Sequence, residues 1–209
     1  KGPVGFLLVA LTGGVFLLVI RFKIKVKVKD VLLFFAVLAL VGCSWFTLQI
    51  FNGNYDTVKE FIVYQVRLFQ TQDAGHGGFF GYHFVVLLFG VFPTSVIMLK
   101  SFKKEKADEV FYPFAKKWMV ILFWVVLIVF SIVKTKIVHY SSLAYFPMSF
   151  LAAGFVYNAY RERARWSKWM SGLIMCISFI LALPVILLQS VEKYKEEIIA
   201  QNWIDDEFT

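Results

Sequence analysis

The sequence predicts an all-α membrane protein with about six transmembrane helices and one short amphipathic helix on the outer surface. Three observations lead there. Of 209 residues, 59% are hydrophobic and 19% aromatic, far too apolar for a soluble domain of this size. Apolar runs of about 17 to 22 residues recur, each long enough to cross roughly 30 Å of hydrocarbon as a helix. Finally, basic residues cluster between alternate runs, as cytoplasmic loops require.

The runs are 3–20, 31–51, 81–99, 118–133, 137–160 and 169–188. Arg21, Lys23, Lys25, Lys27 and Lys29 separate the first two. Lys100, Lys103, Lys104, Lys106, Lys116 and Lys117 separate the third and fourth, and Arg161, Arg163, Arg165 and Lys168 the last two. All three clusters fall on one side, the cytoplasmic one, so the net charge of +8 encodes topology and argues against a nucleic-acid partner. The expected setting is an inner membrane with the functional face outside. Residues 1–190 form the polytopic membrane domain and 191–209 begin an outer, periplasmic segment. Neither end has start or stop logic, since Lys1-Gly2-Pro3 enters a span directly, so the chain reads as a piece of a longer protein.

Taken in order, span 1 carries Gly13-Gly14, small residues that favour close helix approach. The link 21–30 alternates basic and apolar residues, as a segment on an anionic lipid surface does. Span 2 ends in Trp45-Phe46, an interfacial anchor. Asn52-Gly53-Asn54 signals a turn. Val58, Phe61, Ile62, Val66 and Phe69 then recur at helical spacing, which predicts the surface helix. Span 4 is uniformly apolar; Pro147 in span 5 and Pro184 in span 6 predict kinks. Cys43 and Cys176 read as small buried hydrophobes rather than a disulfide or metal pair.

Two polar stretches stand out at the outer rim. Four glycines lie within the seven residues Gly75-His76-Gly77-Gly78-Phe79-Phe80-Gly81, where backbone amides can approach a ligand and favour anions. Lys134-Thr135-Lys136-Ile137-Val138-His139-Tyr140 joins spans 4 and 5 with almost no loop, so it holds cations and an imidazole at the edge of the membrane. The topology puts His76, His83, His139, Arg67 and Asp73 in this layer. Singly, each histidine is an interfacial residue with a satisfied hydrogen bond. Together with two lysines and a glycine loop they point to a phosphate-bearing ligand, because ammonium and imidazolium suit phosphate and a neutral imidazole can hold a divalent metal that bridges to it.

Three stretches resemble the GT-C membrane glycosyltransferases of the protein mannosyltransferase and aminoarabinose (lipid A) transferase superfamily. These are Lys1-Gly2-Pro3-Val4-Gly5; then Tyr64 to Phe69 with Gly75-His76-Gly77, Tyr82 and Gly90-Val91-Phe92-Pro93; and Lys134 to Tyr140 with Tyr145-Phe146-Pro147. The chain departs from the family in having Gly78-Phe79-Phe80-Gly81 where relatives carry proline and more tyrosine or tryptophan.

The resemblance implies inverting transfer of a sugar from a polyprenyl phosphate to a lipid or protein acceptor on the outer face. It implies His76 at a divalent metal, Lys136 and His139 on the leaving phosphate, and Arg67, Tyr82 and Lys134 as further phosphate contacts. It puts the catalytic aspartate in an earlier outer loop, so that this stretch alone is inactive; Asp73 beside glycines reads as a turn residue. Two other classes remain: a transporter or flippase for an anionic lipid or solute, against which the absence of mid-span charge counts, and a non-catalytic membrane subunit.

Overall fold

A computed structural model describes residues 2–24, 27–70, 77–102, 111–161 and 164–193. Among them the chain is helical throughout, with no strand. It divides into two compact units, Lys1–Ala164 and Arg165–Thr209.

The first unit is built around one helix. Helix α1 spans Gly2–Val19, α2 Val28–Gly42, α3 Ser44–Phe51, α4 Tyr55–Gln70, α5 Tyr82–Gly90, α6 Thr94–Ile97, α7 Phe111–Ile132 and α8 Tyr145–Tyr160. One 3₁₀ turn, Met98–Phe102, continues α6 and another, Val138–Ala144, leads into α8. Helix α7 packs against α1, α5, α8 and the second 3₁₀ turn. Its Phe123, Val126, Leu127 and Phe130 meet Leu8, Leu87, Met98, Met148 and Leu151 in one apolar core. The ring of Phe16 on α1 lies edge-on to Phe114 and Trp118 of α7, at 4.9 and 4.8 Å.

Among the described residues three helices are long and apolar enough to cross a membrane: 28–51 (α2 with α3), 113–132 in α7, and 168–189 in α9, which spans Lys168–Lys193 in the second unit. The pair 82–90 and 94–102 makes a fourth if it counts as one broken span. The coarse expectation of a helical membrane protein therefore holds, with two corrections inside the expected spans.

The first concerns the third run, 81–99, which is not one helix but bends by 110° between α5 and the α6 segment. Gly90 is a weak helix former and Pro93 lacks the amide that would continue the ladder. Ser95 Oγ donates instead to the freed Leu88 carbonyl at 2.7 Å. Secondly, Pro147 does not kink the fifth run. The 3₁₀ turn delays α8 until Tyr145, so Pro147 falls in its first turn, where a missing N–H leaves no bond unmade. Pro184 lies inside α9, which continues past it.

Two turns end helices by the same device. After α1, the Arg21 amide bonds to Leu18 O and that of Phe22 to Leu17 O, with Arg21 and Phe22 both at positive φ. After α3, Gly53 (φ +78°) donates to Ile50 O and Asn54 to Gln49 O, so the Asn-Gly-Asn signal marks a left-handed helix terminus. Helix α4 then packs on α3 through Phe61, whose ring lies 6.1 Å from Trp45 and 5.6 Å from Phe46. The amphipathic helix is thus present, and its Val58 is buried.

Two packing expectations fail. Cys43 and Cys176 are free and exposed rather than buried. In a bilayer an apolar mid-span position can face lipid as readily as protein, so hydropathy did not distinguish the two. Gly13 and Gly14 do not seat a tight contact either: a Cβ at Gly13 would stand 3.9 Å from Trp118 and one at Gly14 would meet nothing within 4 Å.

Candidate functional site at the corner after helix α7

The corner 133–137 connects α7 to the 3₁₀ turn 138–144, and the last residues of the glycine loop lie against it. The carbonyls that end a helix have no intrahelical partner. Here the Lys136 side chain folds back over α7, and its Nζ donates to the carbonyls of Phe130 (3.0 Å), Ser131 (2.7 Å) and Val133 (2.6 Å). The side chain is 4% exposed. Two unfavourable facts cancel at this point: a buried ammonium gains three acceptors, and the negative end of the α7 dipole gains a cation. Burial holds the Lys136 ammonium below the usual lysine range.

This arrangement changes what Lys136 can do. An ammonium has three donors, and all three are committed to carbonyls. The direct phosphate contact expected of Lys136 would require those bonds to be exchanged. In this structure the residue builds the corner. Lys134 and His139, by contrast, are exposed. The His139 ring stands edge-on to Tyr140, 5.2 Å between centroids, and Tyr140 in turn packs 5.5 Å from Phe130.

The glycine loop approaches from the other side. A Cβ on Gly78 would sit 3.0 Å from Lys136 Cγ and 3.4 Å from Tyr82 Cδ2, so only glycine fits without displacing the lysine. Tyr82 opens α5, and its ring lies 5.1 Å from that of His83. His83 is 0% exposed, packs 6.0 Å from Phe130, and has no hydrogen-bond partner on either ring nitrogen among the described residues.

The structure therefore places Tyr82 and Lys136 on either side of Gly78 and sets exposed Lys134 and His139 on the same corner. It adds Gly78 and His83, to which the sequence assigned no individual role. Their signal was present in the order Gly-Gly-x-x-Gly-Tyr-His at a helix start, but a packing contact between a glycine and a lysine 58 positions away has no local signature. Arg67 lies on α4, with its guanidinium 5.3 Å from the Tyr64 ring centre. It borders an open groove of about 690 Å³ that also carries Asp56, Lys59 and Glu60, a charge-balanced lining with no preference for an anion. His76 and Asp73 lie outside the described residues, as does the acidic tail from 194. Among the described residues no three histidine, cysteine, aspartate or glutamate side chains come together as a metal site. The metal expected at His76 lies with that residue outside the described part of the chain, and no chemical step is assigned to it.

No protein-family model matches the chain, and no solved structure matches it. A protein of Aquifex aeolicus (strain VF5), described only as uncharacterized, is 29% identical over 168 residues. That alignment takes in 78% of this chain and 36% of the relative, so the chain spans about a third of the length of the protein it matches.

Proposed function

We propose that this chain is the phosphate-handling part of a membrane glycosyltransferase that moves a sugar from a polyprenyl phosphate to a lipid or protein acceptor. The observation that carries the reading is the corner itself. Exposed Lys134 and His139 are held beside the glycine loop by a lysine whose own donors are consumed in fixing the helix end. In transfer with inversion, an acceptor oxygen attacks the anomeric carbon and the bond from that carbon to the phosphate oxygen breaks. The electron pair stays on the phosphate, and the acceptor proton passes to a carboxylate base. Lys134 and His139 are suited to the growing phosphate charge, and the Tyr82 phenol is a further donor. No residue of the corner is assigned the part of the base.

The finer topology belongs to the same reading. Six crossings result if α1, the bent pair 82–102 and the 23-residue stretch 138–160 each traverse the bilayer beside the three long helices. The corner then faces the outside of an inner membrane. A flippase or transporter for an anionic lipid would use the same exposed cations without bond cleavage; a non-catalytic subunit would not need them.

The test is mass spectrometry of lipids that co-purify with the natural full-length protein, set beside a Lys134→Ala/His139→Ala variant. Retention of a polyprenyl phosphate or its sugar conjugate by the natural protein alone is the expected result. Equal retention by both would remove the corner from phosphate binding. Transport of the intact lipid across vesicles with no sugar transfer would favour the flippase.

A further inference from the structure

We propose that His83 is the buried ligand contact of this corner, donating a hydrogen bond from its imidazole to a phosphoryl oxygen of an anionic lipid headgroup received at the amino end of α5. The inference rests on the phosphate reading of the corner and adds to it a residue, an entry point and a ligand class.

Three observations converge on it. A neutral imidazole has one donor and one acceptor, and a fully buried one ordinarily has both paired with protein or water. His83 is 0% exposed with neither nitrogen paired among the described residues, although its rings of contact, Tyr82 and Phe130, are well packed. Packing alone would be served as well by phenylalanine, which leaves nothing unpaired.

The position is electrostatically suited to an anion. His83 is the second residue of the nine-residue α5, whose N-cap is Gly81 and carries no side-chain cap. The amino end of a helix bears partial positive charge and attracts phosphate. The nearest opposing dipole is the carboxyl end of α7, which would repel an anion, but Lys136 neutralises it through the Phe130, Ser131 and Val133 carbonyls. What remains at the corner is the positive end of α5, the surplus charge of Lys136 and the exposed Lys134.

The loop 77–81 leads directly into the start of α5, two residues from His83. Residues Gly78 and Gly81 have no side chains to withdraw, and the Phe79 and Phe80 rings are 65% and 61% exposed instead of anchored in the core. Those exposed rings give the approach to α5 an apolar rim. A free phosphate ion has no use for such a rim, whereas a phosphate with a hydrocarbon tail does, which points to the lipid as the source.

The test measures binding of a polyprenyl phosphate to the natural full-length protein in lipid nanodiscs, with inorganic phosphate as competitor, for the parent, His83→Phe and His83→Gln. Loss of a hydrogen bond to a charged group predicts binding weaker by about tenfold or more in His83→Phe. His83→Gln, which keeps a donor, retains most of the affinity, and the melting temperature of His83→Phe is equal to the parent's or higher. Unchanged affinity in His83→Phe overturns the proposal and leaves the phosphate reading intact, since the parent still binds. Failure of the parent to bind the lipid overturns both. Displacement of the lipid by inorganic phosphate at equal affinity overturns the choice of a lipid ligand. Should His83→Phe not fold, NMR of histidine-labelled parent protein decides: a His83 resonance that shifts on addition of polyprenyl phosphate supports the contact, and one that stays in place refutes it.

Discussion

The stretch 28–51 and helix α7 are both apolar enough to cross a membrane, and the first is the more apolar of the two. Yet none of the apolar stretch of 28–51 is buried inside the protein, against 39% for α7. Leu40 is 78% exposed, and Leu127 only 1%. Hydropathy therefore states which helices tolerate lipid, while burial states which of them the fold is built on. In a bilayer the two properties separate, because lipid tails solvate leucine as well as a protein core does.

The largest expected effect is on that contrast directly. Leu127→Ala should destabilise the protein by about 2 to 5 kcal/mol, since it leaves a cavity among Val126, Phe130 and Met148. Leu40→Ala should change stability by less than about 0.5 kcal/mol. Thermal unfolding in one detergent compares them, and equal losses would show that 28–51 packs against something as firmly as α7 does.

The next contrast lies within the corner. Lys136→Met strips the α7 end of its cation and leaves three carbonyls to find other partners, which should lower stability by about 1.5 to 3 kcal/mol; Lys134→Met should leave it nearly unchanged. The sign of the pH effect follows from burial. The folded-state value for Lys136 lies below that of the unfolded chain, about 10.4, so between the two the unfolded chain holds a proton the folded one has released. Stability from this group rises with pH across that window, and the slope should vanish in Lys136→Met. A reversed slope in urea titrations at alkaline pH would mean that the carbonyl bonds outweigh burial.

A smaller effect is expected from Gly78→Ala. The added methyl must push Lys136 Cγ aside from 3.0 Å, at about 1 kcal/mol, and the loss should disappear in a Lys136→Ala background, which has no Cγ, only if the methyl acts through that side chain. Smallest of all, with no change in stability, is the chemistry of Cys43 and Cys176. Both are exposed on apolar helices, so a membrane-permeant maleimide should label them in vesicles and a charged one should not. Labelling by the charged reagent would take those positions out of the hydrocarbon.

Much of the fold was legible because local signals suffice for helices in an apolar chain. The runs of span length, the Asn52-Gly53-Asn54 terminus and the periodicity of α4 each depend on neighbours in sequence. The breaks were less legible, and for one reason. Pro93, Pro147 and Pro184 are the same residue type in three apolar runs, but one sits at a bend, one starts a helix and one is carried within a helix. The outcome depends on where each helix begins and on which donors stand near the freed carbonyl.

The sequence by itself determined the class of protein, the helical segments and the concentration of basic and imidazole groups beside a glycine-rich loop, because composition and periodicity are local. Tertiary structure alone decided which lysine is buried and which is exposed, and that Gly78 lies against Lys136 and His83 against Phe130. Two lysines one residue apart have the same intrinsic chemistry. Only the fold of the corner turns one toward the carbonyls of α7 and leaves the other exposed.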